Sequence, residues 1–303
     1  MRLAYLGTSE YAVAVLRRLA DSRHRPALVV TPPNRRRGRG RQLAPPPAAA
    51  AATELGIALH QTENVSGDAA AEAIRAARAD LGLVCAFGQL IRPPLLDELE
   101  MLNVHPSLLP RWRGAAPIER AIMAGDDETG VSIMRLTEGL DSGPVALREA
   151  VPIDPRDDYG ALSARLATVG GDLAVRALDL REQGELSFEA QDESLVTYAE
   201  KIEPAERRLD PGRPAAELER LVRALTPHVG AWLELEGGDR LGVVQAEAGP
   251  NGGTPGELEA DDSGALLLGC GEGSLRISVV RPAGKREMQA ADYLRGHGVP
   301  RPA

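Results

Sequence analysis

The unbroken apolar run LGLVCAF, at residues 81–87, is the feature that most constrains the fold. A run of this length without polar alternation is typical of a strand buried on both faces of a parallel sheet. Strands alternating with helices then predict a parallel, right-handed α/β sheet. The other predicted strands lie at residues 2–6, 27–31, 57–60, 102–105 and 131–136, and the predicted helices at 11–20, 48–55 and 69–78.

The chain changes character after about residue 183. The segment QDESLVTYAEKIEPAERRLDPGRP is polar, charged and interrupted by proline, which predicts a linker. A helix is predicted at 215–225, and short strand-like runs separated by glycine follow from Ala231. Such runs predict a small β-barrel or sandwich, for which an oligonucleotide-binding barrel is one candidate. We therefore expect a Rossmann-like parallel-sheet domain at 1–189, a linker at 190–209 and a smaller carboxyl-terminal β-barrel domain at 210–303.

Composition narrows the classes of function. The net charge of −9 argues against non-specific nucleic-acid binding, so an RNA partner would need local basic patches. Cys85 and Cys270 fall in no metal-binding spacing, which predicts two buried thiols in a reducing cytosol and no metal site. No segment approaches the ~18 apolar residues of a membrane span. We expect a cytoplasmic protein with no membrane partner, and a monomer, since no extra apolar helix indicates an obligate dimer.

Asn103 and His105 are candidate site residues from their position alone. Strand alternation places both side chains on one side of a strand, at the carboxyl end where ligands bind in parallel sheets. The Asn103 amide offers donors and an acceptor, and His105 can take up or release a proton near neutral pH. A hydrogen-bonded core histidine is the alternative for His105. The rigid segment PSLLPRWRG that follows favours a site.

Asp141 lies in the glycine-flanked loop TEGLDSGPV, after the predicted strand at 131–136. A loop aspartate is most often a turn residue, and Gly143 favours that interpretation. Spacing alone leaves a turn role and a catalytic role open for Asp141.

The sharpest charge feature is the segment RRRGRGR, which is flanked by prolines. A solvated, disordered basic loop is the plain interpretation. On an acidic chain, however, a concentrated basic segment is better interpreted as a contact for the phosphates of an anionic partner. The segment contains Arg35, Arg36, Arg37, Arg39 and Arg41.

Together these features resemble the methionyl-tRNA formyltransferase family. The resemblance runs from LAYLGTSEYA to RPAGKREMQAADYL and is densest in MLNVHPSLLPRWRGAAPIERAIMAGDDETGVSIMRLTEGLDSGPV. It implies that Asn103, His105 and Asp141 are the catalytic residues. It also implies that the CAFGQLI and SLLP segments bind a folate. The implied folate-binding residues are Phe87, Gly88, Gln89, Leu90, Ile91, Ser107, Leu108, Leu109 and Pro110.

The resemblance implies transfer of a formyl group from 10-formyltetrahydrofolate to methionine on initiator tRNA, without a metal. Residues 1–189 would be the formyltransferase catalytic domain, and residues 210–303 would help to bind tRNA. Arg39 matches the family's tRNA-contacting arginine, whereas Arg36 and Arg37 replace proline and alanine of the family pattern. The implied tRNA-binding residues are Arg35, Arg36, Arg37, Arg39, Arg41, Lys201, Lys285 and Arg286.

Two other functions stay open from the sequence. Related folate-dependent enzymes share the N-H-SLLP-D pattern, so a formyltransferase acting on a sugar amine is the nearest alternative. The wording RWRGAAPI, the segment DESLVTYAEKI and the ending PAGKREM favour the tRNA enzyme. The other alternative is a catalytically silent RNA-binding protein. It is less favoured, because the chain keeps Asn103, His105 and Asp141.

Overall fold

The apolar runs of the first half of the chain form one sheet in the computed structural model, which describes residues 1–37, 42–250 and 252–303. The chain divides into two compact units. The predicted linker is shared between them, because its residues up to Ala199 belong to the first unit. The first unit comprises Met1–Pro117, Glu128–Pro152 and Ser163–Ala199, and the second comprises Ile118–Asp127, Ile153–Leu162 and Glu200–Ala303.

Among the described residues of the first unit there are eleven strands, most of them short. They are β1 (Leu3–Gly7), β2 (Leu28–Thr31), β3 (Arg35–Arg37), β4 (Gln42–Ala44), β5 (Ala58–Gln61), β6 (Leu81–Cys85), β7 (Met101–His105), β8 (Arg113–Gly114), β9 (Glu128–Arg135), β10 (Val145–Pro152) and β11 (Tyr198–Ala199). Strands β1, β2, β6 and β7 are buried along their whole length, as expected for central strands covered on both faces.

The main sheet has seven strands in the order β10-β9-β7-β6-β1-β2-β5. The five strands from β7 to β5 are parallel, which confirms the predicted α/β sheet. The strand predicted at 131–136 forms β9, and it runs antiparallel to β7 and to β10. The expectation of a wholly parallel sheet was therefore wrong at this edge. The β9–β10 connection is consequently a hairpin loop, and it carries Asp141.

The helices of the chain are α1 (Glu10–Ala20), α2 (Pro47–Glu54), α3 (Asp68–Ala76), α4 (Leu95–Glu98), α5 (Pro117–Ala124), α6 (Tyr159–Gln183), α7 (Ala215–Leu225) and α8 (Ala290–His297). Short 3₁₀ turns lie at Glu193–Leu195 and Pro204–Arg207. Within the first unit, α6 packs closely because two glycines lie on its inner face. A Cβ on Gly170 would lie 2.9 Å from the Tyr11 hydroxyl, and one on Gly171 would lie 2.9 Å from Arg18 Cβ.

The second unit contains an antiparallel sheet built from β12 (Ala231–Glu234), β13 (Arg240–Gly249), β14 (Leu258–Ala260), β15 (Leu266–Gly269), β16 (Ser274–Pro282) and β17 (Met288–Gln289). Its ladders follow the order β12-β13-β16-β15-β14, and β17 pairs with β16. Buried side chains of α7 join the inward residues of the strands in one apolar core, which includes Leu218, Leu233 and Ile277. A separate, smaller β domain is confirmed. Among the residues described, its strands pair in an open sheet, with β12 at one edge and β14 at the other.

Both cysteines are buried and unbridged. Burial raises the pKa of the Cys85 thiol to about 12, so this thiol stays protonated and unreactive at neutral pH. Within the described ranges, no group of three or more His, Cys, Asp or Glu side chains could hold a metal ion. None of the helices described combines the length and the apolar character needed to cross a membrane.

Candidate active site

A cavity of about 440 Å³ opens in the first unit beside the carboxyl ends of β6 and β7. This is the expected place for a ligand in an open parallel sheet, close to where the strand order reverses between β1 and β6. Three segments form most of its wall. They are residues 86–91 after β6, residues 103–106 at the end of β7, and Leu136, Thr137 and residues 139–141 of the β9–β10 loop.

Asn103 and His105 reach the cavity from β7. Both side chains are almost fully buried, at 9% and 4% exposure. The strand is fixed by ladders on both sides, since Asn103 is opposite Met134 of β9 and His105 is opposite Ser132. The sequence prediction that these two residues share one strand end is confirmed by this geometry.

The imidazole of His105 has a defined orientation. Its Nε2 lies 2.9 Å from the carbonyl oxygen of Trp112, which can only accept a hydrogen bond. Nε2 therefore carries a hydrogen and donates it to Trp112. The other nitrogen, Nδ1, lies 3.7 Å from Oδ2 of Asp141. Nδ1 is consequently the nitrogen available for proton exchange in the cavity.

Asp141 reaches the strand-end pair from the β9–β10 loop. Its Oδ2 accepts a hydrogen bond from the Gly114 backbone N–H at 2.9 Å, and its Oδ1 lies 3.4 Å from Nδ2 of Asn103. Its backbone has a φ of +45°, in the left-handed region that few residues other than glycine adopt, although aspartate adopts it more often than most. The loop also requires glycine at position 143, where a Cβ would lie 1.9 Å from the Arg135 carbonyl oxygen. The structure thus brings Asn103, His105 and Asp141 together.

Two side chains that the sequence analysis did not single out support this loop from behind. Gln191 donates to the backbone of the Asp141 loop, and buried Arg113 contacts Gln191 in turn. Ser132 was not singled out either, and it supports the SLLP segment instead of the Asp141 loop. This residue is fully buried. Its hydroxyl donates to the Ser107 carbonyl at 2.7 Å and accepts from the Leu109 N–H at 3.1 Å. No sequence signal identifies these contacts, because each joins residues far apart in the chain.

The residues expected to bind a folate divide into two groups. All five residues from Phe87 to Ile91 line the cavity. Leu90 is 59% exposed at its edge, whereas Phe87 and Ile91 are buried. Among the residues described, those lining this cavity do not include Ser107, Leu108, Leu109 or Pro110. Ser107 and Leu109 are instead buried in the turn that follows β7.

The basic segment begins with a short strand that pairs with a second strand just after the segment. Arg35 to Arg37 form β3, which pairs antiparallel with Gln42 to Ala44 of β4. The side chains of Arg35 and Arg36 are exposed. Arg39 and Arg41 lie outside the described residues. In the second unit, Lys201, Lys285 and Arg286 are exposed, and nearby Arg281 forms an ion pair with Glu287.

Similarity to known proteins extends over almost the whole chain. Residues 1–178 match the family model described as formyl transferase, and residues 201–298 match the model of the formyl transferase C-terminal domain. The methionyl-tRNA formyltransferase of Parvibaculum lavamentivorans is 43% identical over 98% of this chain and 97% of its own length. That of Halorhodospira halophila is 46% identical over 97% of this chain and 96% of its own length.

The chain belongs to the methionyl-tRNA formyltransferase family. Solved structures of lower identity share the fold. HypX from Aquifex aeolicus, in complex with tetrahydrofolic acid, gives a TM-score of 0.67 at 20% identity over 97% of this chain and 47% of that one. The N-formyltransferase from Helicobacter canadensis, in complex with folinic acid and dTDP-3-aminofucose, gives 0.68 at 14% identity over 95% of this chain and 100% of that one. At these identities the likeness concerns the fold alone.

Proposed function

We propose that this chain transfers the formyl group of 10-formyltetrahydrofolate to the α-amino group of methionine on initiator tRNA, giving N-formylmethionyl-tRNA for translation initiation. The observation that carries the proposal is the 38–46% identity to proteins of this family name over 97% or more of the chain. We also propose that it works in the cytoplasm as a monomer. The distant sugar formyltransferases, at 14% identity, give the sugar-amine alternative no comparable support.

The cavity is compatible with a reduced folate as the donor substrate. A volume of about 440 Å³ lies within the range of sites for small organic ligands. Its wall combines apolar side chains, such as Phe87, Ile91 and Leu140, with the polar groups of Asn103, His105 and Asp141. A flat heterocycle fits an apolar wall of this kind, and the three polar side chains then face the formyl end.

Charge stabilisation would be the main task of Asn103 and His105. A methionyl α-amino group has a pKa of about 8, so a useful neutral fraction exists without a strong base. Its attack on the formyl carbon moves negative charge to the formyl oxygen, where preorganised donors are most effective. The Asn103 amide donates to that oxygen. A proton on Nδ1 of His105 would add a second donor, and its positive charge would lie 3.7 Å from the Asp141 carboxylate.

Proton movement would use His105 and Asp141. The new bond joins the methionyl nitrogen to the formyl carbon, and the bond from that carbon to N10 of the folate breaks. The attacking amine must lose one proton and N10 must gain one, so the exchange is balanced. His105, or a water molecule held by Asp141, can carry this proton across the cavity.

Contact with tRNA would rely on local basic segments, because the whole chain carries a net charge of −9. The segment from Arg35 to Arg41 has the charge density that phosphate contacts need. Lys201, Lys285 and Arg286 are exposed and are proposed to add contacts from the second unit.

A direct assay tests this function. Formyl-labelled 10-formyltetrahydrofolate is incubated with the full chain and with initiator Met-tRNA, elongator Met-tRNA or a free amino sugar in parallel. We expect label on initiator Met-tRNA, with much less on the elongator and none on the sugar. Absence of label on initiator Met-tRNA would overturn the proposal, and label on the sugar alone would establish the alternative.

A further inference from the structure

The segment around Gln191 lies in the predicted linker, yet it holds the Asp141 loop. Gln191 is buried, with only 8% of the residue exposed. Its Nε2 donates to the carbonyl oxygen of Asp141 at 2.8 Å and to that of Gly143 at 2.7 Å. An amide nitrogen has two hydrogens, and both are used on this loop.

Arg113 sets the orientation of that amide. Its Nε donates to Oε1 of Gln191 at 3.0 Å, so the amide oxygen must face the arginine and the amide nitrogen must face the loop. Arg113 is only 3% exposed. Its remaining nitrogens donate to both carboxylate oxygens of Glu193, at 2.7 and 3.2 Å. This bidentate contact holds the pKa of the Glu193 carboxyl below its usual range.

Strand β8, which contains Arg113, also contacts the Asp141 carboxylate. Gly114, which follows Arg113 in β8, donates its backbone N–H to Oδ2 of Asp141 at 2.9 Å. β8 pairs in turn with β11, so that Tyr198 is opposite Arg113 and Ala199 is opposite Gly114. The side chain of Asp141 and the backbone behind it are therefore fixed by one continuous set of contacts.

Asp141 needs such support because of its backbone conformation. A φ of +45° is sparsely populated by residues with a side chain, and it persists only where the surroundings hold it. Without the Gln191 amide, two loop carbonyls would lose their donors. The loop could then relax towards an ordinary backbone conformation, and the carboxylate would move away from His105 and Asn103.

We propose that Gln191, oriented by Arg113, is a positioning residue that holds Asp141 in its working place beside His105. Its effect on rate rests on the proposed function, whereas its effect on the loop does not. The segment from Gln191 to Ala199 would then be part of the active-site scaffold.

The kinetic test uses Gln191→Glu, which keeps the side-chain shape but replaces the donor nitrogen with an oxygen that faces two carbonyls. We expect kcat for initiator Met-tRNA to fall by about 100-fold, the loss typical of a displacement near 1 Å. The KM for folate should stay close to that of the wild type. The matched control is Gln183→Glu at the exposed end of α6, which should leave kcat unchanged.

A double-mutant cycle separates positioning from a general structural defect. If Gln191 acts through Asp141, then Gln191→Glu should cause no further loss of kcat in an Asp141→Asn background. Losses that multiply would overturn the proposal. Arg113→Lys is the second variant, in case Gln191→Glu does not fold. It keeps a cation beside Glu193 but removes the Nε donor to Gln191, and we expect the same fall in kcat.

A crystal structure of Gln191→Glu, or of Arg113→Lys, gives a readout that needs no activity. We expect the distance from Asp141 Oδ2 to the Gly114 nitrogen to exceed about 3.5 Å, beyond a hydrogen bond. An unmoved carboxylate would overturn the positioning role even if kcat falls. A wild-type chain that formylates no Met-tRNA would overturn the proposed function and would leave this structural test valid.

Discussion

The two halves of the candidate site are held in place in different ways. The strand half, Asn103 and His105, lies at the end of β7 and is fixed by ladders to β6 and β9 on either side. The loop half, Asp141, lies between β9 and β10, and its backbone is held by Gln191, 50 residues further along the chain. Backbone ladders give the strand half its precision. Buried side chains give precision to the loop half, which is therefore more vulnerable to single substitutions.

In the strand half, the largest effect is expected from loss of the His105 imidazole. His105→Gln should lower kcat by about 10²–10⁴-fold, because an amide cannot take up and release a proton. The new amide N–H can still reach the Trp112 carbonyl, so the thermal unfolding temperature should remain near that of the wild type. Steady-state formylation and a melting curve measure the two properties. A near-normal kcat would mean that the strand half serves only the fold.

A smaller effect is expected from the basic segment, which belongs to neither half. Arg39→Ala should raise the KM for Met-tRNA by about tenfold, the worth of one charge-assisted hydrogen bond. The slope of log kcat/KM against log salt should become shallower by about one unit, and the KM for folate should not change. The matched control is Arg156→Ala, since that side chain is 93% exposed. Equal changes for both substrates would argue against a tRNA contact.

The smallest effect on catalysis is expected from Asp261, a loop aspartate in the second unit. Its carboxylate accepts from the Ser263 hydroxyl, from the N–H groups of Ser263 and Ala265, and from Arg276 Nε. Unlike the contacts of Asp141, three of these four are local. The Ser263 hydroxyl and the Ala265 N–H are the main causes that hold the Asp261 pKa far below its ordinary value. Asp261→Asn should therefore lower stability and leave kcat unchanged.

The pH dependence of that variant has a definite sign. A carboxyl with a lowered pKa in the folded state stabilises the protein above its unfolded pKa, and the contribution is lost as the pH falls through the folded value. The difference in melting temperature between wild type and Asp261→Asn should be full above pH ~4 and should shrink below it. Melting curves from neutral to acid pH measure this. A constant difference across that range would contradict the assignment.

The contrast between the strand half and the loop half of the site also explains which parts of the fold the sequence could predict. Apolar runs such as LGLVCAF identify central strands, because such strands need apolar residues on both faces. The direction of β9 was not predictable, since an apolar run has the same pattern in parallel and antiparallel pairs. β10 was not predicted because four of its eight residues are exposed, at positions 148–150 and 152, and the apolar pattern is weak. β3 and β4 were not predicted because each has only three residues, which is too short for a strand pattern to show.

The residues of the site divide in the same way, into those that the sequence could predict and those that it could not. Asn103 and His105 could be predicted from strand alternation and from their place at a strand end. Spacing left Asp141 open between a turn and a catalytic role, and only the family resemblance favoured catalysis. Gln191 and Arg113 could not be predicted, because their contacts span 50 and 78 residues and their polar surroundings in the sequence indicate a linker. A buried polar network is a property of the folded chain and leaves no local pattern.

The single-turnover rate of formyl transfer by Asp141→Asn tests the central claim most directly. The substitution keeps the size of the side chain, and the remaining carbonyl oxygen can still accept from the Gly114 N–H. With both substrates saturating, we expect the rate of the chemical step to fall by about 10²–10⁴-fold while the Kd for folate stays near that of the wild type. A rate close to that of the wild type would remove Asp141 from the mechanism and would contradict this account of the site.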